Sequence, residues 1–307
     1  MTADLDAQLE AAWRVRQARF EPQIVYAYPV DTALVSVTGA QCALDCAHCG
    51  GHYLRHMQPI DDAVEHGADA GGAPSVLISG GCDPEGRVPV VEVLDRVAGL
   101  RARAPAGARA KRPRLNWHLG LIDASTADAV AGVMAPGDVV SFDVVGDRQT
   151  IREVYGLDAT PADYEATYRL LRRALPPTVR VVPHVTIGLR GGQLGHERPA
   201  MDLLARCGLD TLVLLVLIPT PGTRYADRDP PPVEQVAGLL AEARLRFPGV
   251  PLHLGCMRPR RAYRARLDPL AVRAGVNLLV SPSREAKTAA QALGLHAVQT
   301  RECCVFA

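Results

Sequence analysis

The stretch Leu34-Val-Ser-Val-Thr-Gly-Ala-Gln-Cys-Ala-Leu-Asp-Cys-Ala-His-Cys49 joins a short apolar run to a loop with three cysteines. Residues 34–37 are apolar and rich in valine, a composition typical of a buried β-strand. The glycine at position 39 and the polar residues around it end that strand. The sequence therefore predicts a strand whose carboxyl end presents Cys42, Cys46 and Cys49.

The same pattern of strand followed by helix repeats along the chain and predicts a parallel α/β sheet. Eight apolar runs predict strands, at residues 34–37, 76–79, 115–118, 139–143, 179–187, 211–218, 251–254 and 277–280. Helical patterns precede, separate and follow them, at residues 2–20, 59–65, 90–103, 124–133, 161–175, 198–207, 232–246, 269–274 and 284–293. Eight units predict a closed (β/α)₈ TIM-type barrel. A split barrel of six units with an appendage is the nearest alternative.

The 307 residues are expected to form one barrel domain, with an N-terminal helix within residues 1–25 and a C-terminal tail at 295–307. The formal net charge of +1 gives no reason to expect nucleic acid as a partner. No apolar run approaches the roughly 18 residues of a membrane span. The N-terminus does not resemble a secretory signal, so we expect a cytoplasmic protein without a membrane partner.

The eight cysteines are distributed unevenly: three lie within residues 42–49, two are adjacent near the C-terminus, and the others are Cys82, Cys207 and Cys256. In a cytoplasmic protein such groups bind metal more often than they form disulfides. Three thiolates can hold a four-iron cluster and leave one iron open to a further ligand. A zinc site with a remote fourth ligand, or three buried thiols, is the alternative.

The spacing CxxxCxxC after a first strand resembles the radical S-adenosylmethionine (SAM) superfamily. That resemblance implies a [4Fe–4S] cluster on Cys42, Cys46 and Cys49, whose open iron is chelated by the amino and carboxylate groups of SAM. Electron transfer would then cleave SAM to methionine and a 5′-deoxyadenosyl radical, which abstracts a substrate hydrogen. An electron donor of the ferredoxin or flavodoxin type is the implied partner.

Further residues at strand ends are expected to bind the cofactor. Ser79-Gly-Gly-Cys-Asp83 resembles the GGE strand end that receives the SAM amino group, with Cys82-Asp83 in place of the acidic residue. Gly188, which has Glu197 nearby, and the segment around Ile218 resemble the strands that line the adenosine, and His48 stands where an aromatic residue often lies. His118 and Asp143 end predicted strands, so we expect them to reach SAM or the substrate, although Asp143 also suits a helix cap.

The longer pattern is similar to biotin synthases and, more closely, to the two-subunit lipoyl synthases. This resemblance implies sulfur insertion into an octanoylated lysine on a lipoyl carrier domain, with a second radical SAM subunit as partner. It also implies a second, sulfur-donating cluster, for which Cys82, Cys256, Cys303 and Cys304 are candidate ligands. Arg258 would stand beside that cluster. Cys207, on a helix, is expected in the core.

Two other functions remain open from the sequence. One is a radical SAM enzyme of different outcome, such as rearrangement, carbon–carbon bond formation or epimerisation. The other is a metal-binding structural or sensor protein. A basic group flanking the third strand is predicted to be solvated surface or a docking patch for an acidic partner; it comprises Arg101, Arg103, Arg109, Lys111, Arg112 and Arg114.

Overall fold

The computed structural model describes residues 3–68, 73–102 and 112–307. Within these residues one sheet contains eleven strands, all paired in parallel. In chain order they are β1 Gln23–Ala27, β2 Thr32–Ser36, β3 Gln58–Pro59, β4 Ser75–Ser79, β5 Arg114–His118, β6 Val139–Asp143, β7 Arg180–Ile187, β8 Leu212–Val216, β9 Leu252–Leu254, β10 Leu278–Val280 and β11 His296–Thr300. All eight predicted strands are present, so the parallel α/β class is confirmed.

Helices connect the strands. They are α1 Ala3–Arg19, α2 Ile60–His66, α3 Leu94–Ala102, α4 Ala124–Ala131, α5 Arg148–Thr150, α6 Pro161–Ala174, α7 Glu197–Cys207, α8 Val233–Arg246, α9 Ala262–Arg273 and α10 Arg284–Ala292. A π-helical turn, Ile151–Tyr155, continues α5. Short 3₁₀ turns lie at His52–His56, Val90–Val93 and Cys304–Phe306.

The sheet curls but its ladder is not closed as predicted. The strand order is β11-β1-β10-β9-β8-β7-β6-β5-β4-β2-β3. A closed eight-stranded barrel requires the last unit, β10, to pair with β2, whereas β10 pairs with β1, which the sequence analysis did not predict. Among the described residues no strand pairing joins the β11 edge to the β3 edge.

The C-terminal tail bridges the two parts of the sheet that remain unpaired. The Asp31 N–H donates to the Arg301 carbonyl at 2.9 Å, and the Cys303 N–H donates to Thr32 Oγ1 at 2.8 Å. The Arg301 guanidinium also pairs with Asp31. Residues after β11 therefore run beside the start of β2, so chain contacts replace strand pairing along this seam.

The end of the tail fills the interior of the curled sheet on the side where the strands begin. Cys304 and Val305 are buried in an apolar cluster with residues of five strands, among them Val139, Val182 and Leu278. Arg180, at the start of β7, donates to the Val305 carbonyl at 2.6 Å. Burial of these side chains stabilises the tail in place, since apolar area removed from water contributes about 25 cal/mol per Å².

Two arginines of the basic group around β5 form ion pairs within the described residues, and Arg112 is exposed. Arg101 is buried against Asp138, which also accepts the Leu115 N–H at 2.9 Å. Arg114 pairs with Glu302 at 2.7 Å. Arg103, Arg109 and Lys111 lie outside the described residues. Arg101 and Arg114 thus have structural partners, and charges that are already paired contribute little to docking.

No helix in the described part of the chain is long and apolar enough to cross a membrane.

Candidate metal centre

The loop that carries Cys42, Cys46 and Cys49 follows β2 and is tied to its surroundings on three sides. The Ala43 N–H donates to the Cys82 carbonyl at 2.8 Å, just after β4. The Ala47 N–H donates to Val154 at 2.7 Å, and the Ala47 carbonyl accepts the Tyr225 N–H at 2.9 Å. The loop is therefore held by the segments after β4, β6 and β8 at the carboxyl ends of the strands, where barrels place their active sites.

Four thiols gather here. Cys42, Cys46, Cys49 and Cys82 are free and half-buried. The Cys82 N–H donates to the Cys42 sulfur at 3.3 Å. Burial, with the neighbouring Cys49, Cys42 and Cys82, raises the pKa of Cys46. Burial and Cys42 raise the pKa of Cys82 to about 12. Neighbouring thiolates repel one another. A cation bound among them stabilises the deprotonated form and so lowers the pKa of the cysteines that ligate it.

The four thiols do not converge on one point. In the described residues no three His, Cys, Asp or Glu side chains are arranged to hold a single metal ion. A cluster of four irons binds one thiolate at each corner, so its ligands need not meet at a common atom. The set of sulfur donors, all from one short loop and the facing strand end, fits such a cluster.

The predicted glycine pair after β4 permits close approach of the backbone to this loop. A Cβ on Gly81 would lie 1.9 Å from the Gln41 carbonyl oxygen and 2.6 Å from the Cys42 Cα. The Gly81 N–H donates to Thr38 Oγ1 at 2.8 Å. Only glycine leaves room for this contact. Gly80 is also tight, since its Cβ would lie 2.8 Å from Val37.

A cavity of about 120 Å³ opens beside the thiols. Its lining combines two of the cysteines, Cys46 and Cys82, with polar and aromatic residues from the ends of β5 and β6 and the turns that follow, including His118, Ser141, Asp143, Tyr155 and Tyr164. Burial in this concave site raises the pKa of Asp143 to about 6 and lowers that of His118 to about 4. His118 and Asp143 thus both line the cavity beside the cysteine loop. Asp143 ends β6 and faces this cavity, while the adjoining helix α5 is capped by Asp147.

His48 lies within the cysteine loop, and Gly188 directly follows β7. The His48 ring packs edge-on against Tyr155 at 5.7 Å, and its Nδ1 is buried with no hydrogen-bond partner among the described residues. Gly188 has a φ of 74° and donates its N–H to Glu197 Oε1 at 2.7 Å. The Glu197 carboxylate also accepts from Gly195. Ile218 is half-buried just after β8. Glu197 therefore fixes the loop after β7 by accepting hydrogen bonds from two of its backbone N–H groups.

A second group of cysteines lies across the interior. Cys256 follows β9, and both Cys303 and Cys304 are close enough to interact with it electrostatically. Cys256 is exposed to solvent, whereas Cys304 is buried. Tyr53 interacts with both Cys49 and Cys256 and donates to or accepts from Thr220 at 2.9 Å. Tyr53 therefore lies near both groups. Cys82, by contrast, interacts with Cys42 and Cys49.

Arg258, which the sequence analysis placed beside the second group, interacts with Cys256, but its charge is already paired. It is fully buried and forms two hydrogen bonds with Asp268, both at 2.9 Å. It also donates to the Gly255 carbonyl at 2.7 Å. Arg258 thus fixes the turn that presents Cys256. Cys207 is half-buried on α7, at the edge of the core.

Sequence reasoning missed Tyr155, Tyr164 and Tyr53. Tyr155 belongs to the π-helical turn after α5, a short element with no apolar periodicity to reveal it. Tyr164 lies in α6 at a buried position, and its place in the sequence does not distinguish it from an ordinary core residue. The adjacent histidines and tyrosine around position 53 were a usable signal, since polar aromatic residues shortly after a ligand loop often line its site.

The fold is similar to those of several solved structures at low sequence identity. The crystal structure of methylornithine synthase (PylB) matches 97% of this chain and 90% of its own, with a TM-score of 0.64 and 13% identity. HydG, a maturase of the [FeFe]-hydrogenase, matches 91% of this chain with a TM-score of 0.63 and 14% identity; this chain spans 62% of that protein. Streptococcus suis SuiB bound to S-adenosylmethionine matches 82% of this chain, and 58% of its own, with a TM-score of 0.51 and 13% identity.

No family model matches the sequence, and no curated protein sequence matches it at the threshold applied. The structural likeness establishes the fold.

Proposed function

We propose that this protein is a radical SAM enzyme. The observation that carries the proposal is the loop after β2, which gathers Cys42, Cys46 and Cys49 at the carboxyl ends of a curled parallel sheet. The fold matches that of SuiB, which has been solved with S-adenosylmethionine bound. When bound on these thiolates, the cluster supplies an electron that cleaves SAM to methionine and a 5′-deoxyadenosyl radical.

The chain's own residues supply the rest of the site. Gly80 and Gly81 bring the backbone of the β4 end against the loop, so that carbonyl oxygens there can accept from the SAM amino group. His118 is uncharged at neutral pH, because burial lowers its pKa to about 4. It can therefore exchange a hydrogen bond without adding charge, and Asp143 can accept from a ribose hydroxyl. Tyr155, edge-on to His48, closes the side of the cavity and limits access of water to a reactive radical.

The test is anaerobic reconstitution with iron, sulfide, dithionite and SAM, followed by assay of 5′-deoxyadenosine. Cys42→Ala, Cys46→Ala and Cys49→Ala are each expected to abolish its formation, because each removes a cluster ligand. Cys207→Ala, on α7, is the matched control and is expected to retain wild-type cleavage. A loop variant with wild-type 5′-deoxyadenosine production would contradict the assignment.

We further propose sulfur insertion as the outcome, with an octanoylated lysine on a carrier domain as substrate and a second radical SAM subunit as partner. The supporting observation is that Cys256 lies within electrostatic range of Cys303 and Cys304, and that Tyr53 lies within range of both Cys49 and Cys256. This arrangement would suit a second cluster facing the radical. Iron analysis tests it: about eight irons per chain support two four-iron clusters, and about four irons contradict a sulfur donor.

Removal of the second group of cysteines distinguishes the proposed SAM cleavage from the proposed sulfur insertion. The triple variant Cys256→Ala, Cys303→Ala, Cys304→Ala is expected to cleave SAM yet lose the thiolated product from an octanoyl-lysine peptide. Wild-type iron content in this variant would rule out the second cluster. The enzyme would then belong with radical SAM enzymes that perform another reaction.

The electron donor is proposed to dock on an arginine-rich groove behind the cluster loop. The groove is lined by Arg148, Arg152, Glu153 and Arg224, and a neighbouring groove adds Arg190 and Arg228. Arg224 donates to the Asp45 carbonyl at 2.8 Å, in the middle of the loop. This surface carries five arginines and fewer carboxylates, those of Glu153, Asp158 and Asp45. It is therefore basic and complementary to an acidic carrier such as a flavodoxin or ferredoxin.

A further inference from the structure

Cys82 stands at a position where the strand end departs from the GGE pattern, and the structure shows where its thiol lies. Two hydrogen bonds fix this residue across the cysteine loop: its N–H donates to the Cys42 sulfur at 3.3 Å and its carbonyl accepts the Ala43 N–H at 2.8 Å. Its position is thus set by the same loop that holds the cluster ligands.

The Cys82 side chain also lines the cavity that opens beside those ligands. Cys46 and Cys82 are the two sulfur donors among the residues that line it; the other polar groups there offer oxygen or nitrogen. Iron in iron–sulfur clusters is held mainly by thiolates. Three loop thiolates leave one iron open, and Cys82 is the sulfur donor placed on the cavity side to complete the set.

We propose that the Cys82 thiolate is the fourth ligand of the cluster in the resting enzyme and is displaced when SAM binds; the inference rests on the proposed function. In the exchange the bond from iron to the Cys82 sulfur breaks, and bonds from iron to the SAM amino nitrogen and carboxylate oxygen form. The proton that the SAM ammonium group loses is taken up by the released thiolate, so neither net charge nor electron count changes.

Such a ligand would protect the open iron until the cofactor arrives. An iron without a protein ligand is the one that a four-iron cluster loses on mild oxidation, which leaves a [3Fe–4S] cluster. A thiolate that competes with SAM also weakens the apparent affinity for SAM by the fraction of clusters that it occupies.

The experiment compares wild type, Cys82→Ala and Cys82→Ser, with Cys207→Ala as control, after anaerobic reconstitution and without SAM. Each is treated with limiting ferricyanide, and the [3Fe–4S] cluster is quantified by electron paramagnetic resonance. Cys82→Ala is expected to convert several-fold more of its cluster than wild type or the control. Its dissociation constant for SAM is expected to fall about tenfold, the factor for a thiolate bound in nine of ten resting clusters.

Equal conversion and equal SAM affinity in wild type and Cys82→Ala would overturn the proposal. A thermal melt shows whether Cys82→Ala folds. If it does not, the near-isosteric Cys82→Ser takes its place in the comparison. Because a hydroxyl ligates iron less well than a thiolate, Cys82→Ser should also convert more of its cluster to [3Fe–4S] than wild type. Failure of wild type to bind four irons or to form 5′-deoxyadenosine would instead overturn the proposed function.

Discussion

At the scale of single residues, the interior of the sheet holds histidines that are kept uncharged. His184 on β7 is buried, its Nδ1 lies 3.1 Å from the Val182 carbonyl, and its ring centroid is 6.3 Å from that of His118. Burial, reinforced by His118, lowers the pKa of His184 to about 3. These contacts make His184 a core residue.

This histidine predicts acid sensitivity of the fold. Unfolding restores a pKa of about 6.5, so below that pH the unfolded chain binds a proton that the folded chain does not. The folded state should therefore lose about 2 kcal/mol from this group between pH 7 and pH 5. Denaturant unfolding at both pH values tests this: His184→Asn, which can still donate to the Val182 carbonyl, should show a smaller loss by that amount. His296→Asn, exposed on β11, should behave as wild type.

At the scale of elements, the end of β4 is the contact on which the cysteine loop depends. Gly81→Ala is expected to displace the loop, because the new Cβ would overlap the Gln41 carbonyl. The variant should fold, with a wild-type circular dichroism spectrum, but retain little iron after reconstitution. Gly249→Ala, in a loop where a Cβ meets nothing within 4 Å, is the control. Wild-type iron in Gly81→Ala would contradict the role given to this contact.

The strands that the sequence predicted share a local signal. β1 also has one, the run Ile24-Val25-Tyr26, and was missed, whereas β11 lacks one. Strands such as β8, Leu212–Val216, are continuous apolar runs buried on both faces. β11, His296–Thr300, is largely exposed and has no apolar alternation, so nothing local marks it. α9 begins at Ala262, although Pro269 suggested a later start, because its first two turns carry arginines in place of an apolar face.

In the candidate site, too, some features have a local signal in the sequence and others depend on distant segments. The spacing of Cys42, Cys46 and Cys49 is a local property and predicts that they act together. The partners of Cys82 and Arg258 depend on how distant segments meet. Cys82 shares the strand-end face with Cys256, yet its hydrogen bond is to Cys42. Arg258 forms a buried ion pair with Asp268 on α9, ten residues further along the chain. The order of charges in the sequence does not reveal this pair.

At the scale of the whole molecule, the seam between the sheet edges could not be predicted, because it joins residues at opposite ends of the chain. Cys303 contacts Thr32, and Arg301 contacts Asp31. Such contacts form only once the intervening strands have curled. They carry the tail across the interior, and this places Cys303 and Cys304 within range of Cys256.

At the same scale, exposed arginines lie at both ends of the molecule, and this leads to a prediction about electron supply. Arg148 and Arg152 are exposed on the proposed docking groove, whereas Arg112 and Arg173 are exposed where the strands begin, away from the cluster loop. Arg148→Glu with Arg152→Glu reverses two charges on the groove. Arg112→Glu with Arg173→Glu makes the same change on the opposite end and serves as the matched control.

With an acidic flavodoxin as donor, the groove variant should need about tenfold more carrier for half-maximal 5′-deoxyadenosine formation at low ionic strength, because charge complementarity governs encounter. The difference should shrink as salt is added, since exposed charges are screened within about 10 Å at 0.1 M. With dithionite, a small reductant that needs no docking surface, all variants should match wild type. Equal carrier dependence in the two double variants would place the donor elsewhere, while loss of the dithionite-driven rate in the groove variant would show that these arginines support the loop itself.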